Sequence, residues 1–214
     1  MKTYTADTKS LLTHLESNVT KIQQYLLDNG VEDILEPFRL VEFTVKAHVY
    51  HNARCAYMLG IADGMAALRD GTIDAIVDTE FEQSAARFGE LPGALYNEVE
   101  KTELLLEPMG IKEFAPDTKD VLKVMKANFD IVYQAWVNAG LGKDRKQRNY
   151  LYAQFIYHMH LFYNLGAYDA FDATLHSDIL VTDPPGKKDR YERLKKQLEQ
   201  ELKKHAEKAT AAGE

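Results

Sequence analysis

The chain holds a single cysteine, Cys55, so it can form no internal disulfide framework, and this fits a reducing compartment. No window approaches 18 uninterrupted apolar residues, so no membrane-spanning helix is expected. The opening residues MKTYTADTKSLLTHLES lack the apolar core of a signal peptide. The expectation is a cytoplasmic protein without membrane contact. A basic surface is missing too: 26 Lys and Arg stand against 33 Asp and Glu, a net charge of −7. Nucleic-acid affinity is dominated by phosphate contacts, so no nucleic-acid partner is expected. Only residues 187–208, with nine Lys or Arg against five Asp or Glu, depart from that balance.

Catalytic signatures are absent as well. There is no Gly-rich phosphate loop after a strand, no Gly-x-Ser-x-Gly, no His-Glu-x-x-His and no Glu-x-x-His. Strand-type alternation does not persist, and no repeat of fixed period is found.

What is present is helical patterning over a chain that is 45% apolar, enough for a real core. A first helix is expected from Asp7 to Asn29, with Leu12, Leu15, Val19, Ile22 and Leu26 as its packing seam. A second runs from Phe38 to about Leu68, after Pro37, and is weakened by Gly60 and Gly64. Two short helices, Glu80–Phe88 and Ala94–Met109, are expected on either side of Leu91-Pro92-Gly93. Asp117 or Thr118 caps the next, with Val121, Leu122, Met125, Phe129, Val132 and Trp136 facing the core. The most distinctive segment is 149–171, which carries eight aromatic residues and no clear solvent face. A helix apolar all round must be surrounded by others, while Gln154, His158, His160, Asn164 and Asp169 exclude the bilayer. The fold class is therefore all-α: a bundle of about six or seven helices around a central aromatic helix. Asp183-Pro184-Pro185-Gly186 divides a bundle domain, 1–182, from a charged C-terminal helix and tail, 187–214.

Two clusters could carry chemistry. His48, His51, Asn52 and Cys55 stand at i, i+3, i+4 and i+7, on one side of the second helix. His48, His51 and Cys55, completed by His158 from the aromatic helix, would suit a divalent metal, with Asn52 or a Tyr behind them. The bland alternative is a hydrogen-bonded polar seam. Between the same two helices, His48, Asn52, Tyr157, His158 and Phe162 would line a pocket for a small ligand. The tyrosines there each bring a hydroxyl that needs a partner if buried. Glu98, Glu100, Glu103 and Glu107 read as a solvated face. Tyr191, Leu194, Leu198 and Leu202 form a thin apolar line that would dock on a protein partner or on a second copy of the chain.

The segment Gly110 to Met125 (GIKEFAPDTKDVLKVM), with the later Phe162-Tyr163 pair, resembles the all-helical chaperones that escort molybdenum redox enzymes to twin-arginine export. Those chaperones carry Pro-Asp-His where this chain has Pro116-Asp117-Thr118, so their histidine is missing, and no functional residue is carried over. The expected function is non-catalytic binding, as an adaptor, a chaperone-like protein or a small-ligand carrier, working as a homo-oligomer. The competing expectation is a helical metalloprotein or metalloenzyme.

Overall fold

The computed structural model describes residues 7–28, 35–69, 81–101, 110–114, 118–138, 145–176 and 188–211, with side chains for most of them. Six helices account for nearly all of this: α1 (Thr8–Asp28), α2 (Leu35–Arg69), α3 (Phe81–Glu100), α4 (Val121–Asn138), α5 (Arg145–His176) and α6 (Lys188–Ala211). There is no strand among the described residues, so the chain is an all-α bundle. None of the described helices is long and apolar enough to cross a membrane.

The aromatic helix lies at the centre, as its composition requires. From Leu151 to Phe171, only Gln154, Tyr157, His160 and Leu161 are more than marginally exposed. It packs on all five other helices and most extensively on α2, which also touches all the others. The bundle thus has two crossed axles and four flanking helices. α6 lies along α5 and α2, with Leu194 and Leu198 buried in the common core.

One expected break is absent. α3 continues through Pro92, where two helices were expected. An interior proline costs about 3 kcal/mol or more, because it removes a hydrogen bond and crowds the preceding turn. Leu91 and Leu95 flank it, both with no exposed surface. Burying each contributes about 1.5–3 kcal/mol, enough to hold both halves of the helix on the core. Residues 102–109, assigned to the second of those helices, lie outside the described residues.

The two axles meet through an exchange of matching residues. α2 carries Tyr57-x-Leu59-Gly60-x-x-Asp63 and α5 carries Tyr163-x-Leu165-Gly166-x-x-Asp169, offset by 106 positions. The Tyr57 hydroxyl donates to Asp169 Oδ2 at 2.7 Å, and the Tyr163 hydroxyl donates to Asp63 Oδ2 at 2.9 Å. A Cβ built on Gly60 would land on the carbonyl oxygen of Tyr163, and one on Gly166 would land on that of Tyr57. Each contact therefore occurs twice, related by a pseudo-two-fold axis through the crossing.

The same relation extends to the flanking helices. Leu11, Leu15, Asn18, Val19 and Ile22 of α1 are buried, as are Val121, Met125, Asn128, Phe129 and Val132 of α4, 110 positions later. Asp7-Thr8-Lys9 recurs as Asp117-Thr118-Lys119 at the same offset. Leu91, Leu95, Glu98 and Lys101 of the α3 region match Leu194, Leu198, Glu201 and Lys204 of α6 at an offset of 103, and both Glu–Lys pairs are ion pairs. Each third helix packs on both axles, α3 on α2 and α5, and α6 on α5 and α2. The chain is two copies of a three-helix unit, α1–α3 and α4–α6, wrapped around each other.

The paired asparagines have diverged. Asn128 accepts from the Lys112 N–H at 2.9 Å and donates to the Lys112 carbonyl at 2.5 Å, which clips the segment 110–114 to α4. Gly110, at φ 76°, turns the chain into that clip. Asn128→Leu leaves both Lys112 groups without these bonds, at about 1–3 kcal/mol. Equilibrium unfolding in urea measures that loss, and limited proteolysis should then cut first near residue 112.

Candidate ligand cleft and buried histidine network

Asn18, the counterpart of Asn128, holds a different set. Its Nδ2 lies 3.1 Å from His158 Nε2 and 3.0 Å from His14 Nε2, and the Tyr157 hydroxyl lies 3.3 Å from that same His14 nitrogen. An amide NH2 can donate to both imidazoles only if each ring carries its proton on Nδ1. Burial, helped by His14, pushes His158 down to about 4, so its ring is neutral at pH 7. Asn52 Nδ2 donates to the His48 carbonyl at 2.7 Å and lies 3.0 Å from His48 Nδ1. The His48 ring stacks on Phe155, with centroids 4.6 Å apart. Burial lowers His48 to about 3, with His51 and His158 adding to the effect.

The structure places the residues expected to form a site as follows. His48, Asn52 and His158 are buried between α1, α2 and α5, Tyr157 sits at the rim of this layer, and Phe162 is wholly buried. Asn52 bonds to His48, and His158 bonds to Asn18, while His48 Nε2, Asn52 Oδ1 and His158 Nδ1 are buried without a hydrogen-bond partner. The metal set is dispersed: His51 Nε2 pairs with Cys55 Sγ at 3.6 Å, His48 faces Phe155 and Asn52, and His158 faces Asn18. No group of three or more His, Cys, Asp or Glu side chains suited to a metal ion occurs among the described residues. Burial raises the Cys55 thiol to about 12, which keeps it protonated and poorly nucleophilic. Of the line assigned to partner docking, Leu194 and Leu198 are buried against the chain's own core and Leu202 is partly so. The Tyr191 side chain lies outside the described residues. Glu98 is paired with Lys46 and Lys101, while Glu103 and Glu107 also lie outside.

An open cleft of about 180 Å³ lies elsewhere, between α4, α5 and α6. It is lined by Tyr152, only 5% exposed, whose hydroxyl has no hydrogen-bond partner. Glu201 forms one wall: Lys126 Nζ is 3.3 Å away, His205 Nε2 3.5 Å and Lys204 Nζ 3.6 Å. Burial alone would raise Glu201, but Lys126, Lys204 and His205 outweigh it and hold the carboxylate below its ordinary value. His205 is lowered by burial, against the pull of Glu201, so it is neutral at pH 7; its ring packs edge-on to Tyr152 and its Nδ1 is 3.3 Å from Asn149 Oδ1. Arg148 also lines the cleft, donating from Nη2 to Asp130 Oδ1 at 2.5 Å while its guanidinium lies over Phe129 and Tyr133. A second cleft, about 240 Å³, lies between the start of α4 and α6, and none of its lining residues is a buried polar group without a partner.

The first of these clefts escaped sequence reasoning because its residues come from three helices up to 79 positions apart. Each alone reads as an ordinary solvated charge. The available signal was the alignment of the two units, which sets Lys126 against Glu16 and Tyr152 against Lys46. Comparison with known protein families, characterised proteins and solved structures found no match to this chain.

Proposed function

We propose that this chain is a non-catalytic helical binding protein that holds a small charged molecule in the cleft between α4, α5 and α6. The carrying observation is Tyr152, which lines the cleft and whose buried hydroxyl has no hydrogen-bond partner. A buried polar group left without a partner costs about 1–3 kcal/mol, and a ligand met by a small shift of the ring would supply the missing bond. Ion pairs around the cleft fix its walls, and α6, which closes one side, belongs to the same core as α5. The titratable groups buried elsewhere favour binding over chemistry. His48 and His158 are locked neutral by burial, and the Cys55 thiol is held protonated.

Thermal melting against a panel of small organic acids, phosphate esters and amines tests this reading. A ligand at about a hundred times its Kd adds about 2.7 kcal/mol, which raises the Tm of a domain this size by several degrees. Tyr152→Phe removes the only polar atom of that ring and should cut the shift to about half while leaving the far-ultraviolet spectrum unchanged. A panel that moves no melting curve, or moves both proteins equally, would remove the cleft as the binding site.

A further inference from the structure

We infer that the cleft selects a small organic anion, a carboxylate or a phosphate, and that only the second unit of the chain provides such a site. This rests on the cleft being the ligand site. Three permanent cations, Lys126, Arg148 and Lys204, face it against two carboxylates, Asp130 and Glu201. One positive charge is therefore in surplus. The guanidinium of Arg148 has five N–H donors, and Asp130 takes one of them. The Tyr152 hydroxyl stays protonated, because burial and the nearby Glu201 and Asp130 all push its pKa up. It is thus a donor in need of an acceptor, and an anionic oxygen makes the strongest such bond, while Glu201 Oε2, the other buried atom of the cleft without a hydrogen bond, has Lys126 Nζ at 3.3 Å as its ionic partner. The volume is below the roughly 300–1,000 Å³ of drug-sized sites, so the ligand has few heavy atoms.

The first unit explains the restriction to one site. At the position of Tyr152 it has Lys46, whose ammonium reaches 3.7 Å from Glu98, the counterpart of Glu201. At the position of Lys126 it has Glu16. Where the second unit has a surplus cation and a hydroxyl without a partner, the first has an extra carboxylate and a cation of its own. An anion is attracted to one corner and repelled by the other.

Isothermal titration of the full chain at low salt, with butyrate, inorganic phosphate, butylamine and butyramide, decides the matter. The expected result is one butyrate or phosphate per chain, weakened by sodium chloride. Affinity should fall about tenfold in Tyr152→Phe and be lost in Lys126→Glu, which copies the first unit. Lys126 is half-exposed, so both Lys126→Glu and the milder Lys126→Gln should keep the wild-type helical spectrum. Phosphate binding without butyrate binding would keep the anion and identify its kind. Butylamine or butyramide binding that depends on Tyr152 would leave the cleft standing and overturn the anion. Two equivalents of anion, or binding indifferent to Lys126→Glu, would overturn the restriction to the second unit. No binding by any of the four probes would sink the inference outright.

Discussion

Gly166→Ala is expected to lose about 3 kcal/mol of stability, although alanine improves a helix by about 1 kcal/mol wherever it fits. The new methyl would meet the Tyr57 carbonyl, with the Ile61 nitrogen 3.1 Å away, and backbone atoms cannot rotate aside as a side chain would. The only relief is for α2 and α5 to move apart. That movement also lengthens the Tyr57–Asp169 and Tyr163–Asp63 hydrogen bonds. Gly60→Ala should behave alike, because its methyl meets the Tyr163 carbonyl and the Ala167 nitrogen. For a domain of this size, the loss corresponds to a fall in Tm of roughly 6–12 °C. Gly93→Ala serves as the contrast: nothing lies within 4 Å of its added methyl, so it should raise the melting temperature slightly. Equal behaviour of the three variants would dismiss the close crossing as the source of stability.

The second large effect is acid sensitivity. His48 and His158 titrate at about 3 and about 4 in the fold, against an ordinary value near 6.5. Below pH 6.5 the unfolded chain takes up protons that the folded one refuses. The stability these rings contribute is therefore complete above about pH 6.5 and declines as pH falls towards 4 and then 3. At pH 5 the loss is about 2 kcal/mol for each ring, or about 4 kcal/mol together, a sizeable share of a typical total. Urea unfolding at pH 7 and pH 5 measures it, and His48→Phe should recover about 2 kcal/mol of the difference, to which His51, His160 and His205, also lowered by burial, add. Equal stability at the two pH values would mean that the rings are hydrated or charged in the native state.

Much of the architecture was legible because it follows from the pattern of apolar residues. Val121, Met125, Phe129, Val132 and Trp136 are buried as their spacing requires, and the aromatic segment is central because it has no face for water. Sequence patterning failed where tertiary contact overrides local preference. Pro92 reads as a break, yet it sits inside a helix pinned by two buried leucines. The duplication was hidden by drift in its offset, from 110 in the first helices to 106 in the second and 103 in the third, which leaves no constant period. Only the exchanged tyrosine–aspartate bonds draw attention to it. Among the candidate site residues, His48, Asn52, His158 and Phe162 are buried, but spacing along one helix could not tell a cavity from a packed seam. The Tyr152 cleft depends on α4 and α6 converging on α5, which no local pattern encodes.

The doubled crossing also bears on how the proposed anion site could come to exist in one half alone. In a dimer of identical subunits, any replacement at the Lys126 or Tyr152 position is copied across the axis, so both corners carry the same charge. A continuous chain escapes that coupling. Joining the copies end to end keeps the matched tyrosines, glycines and aspartates that clamp the centre, while each periphery is free to acquire its own electrostatics.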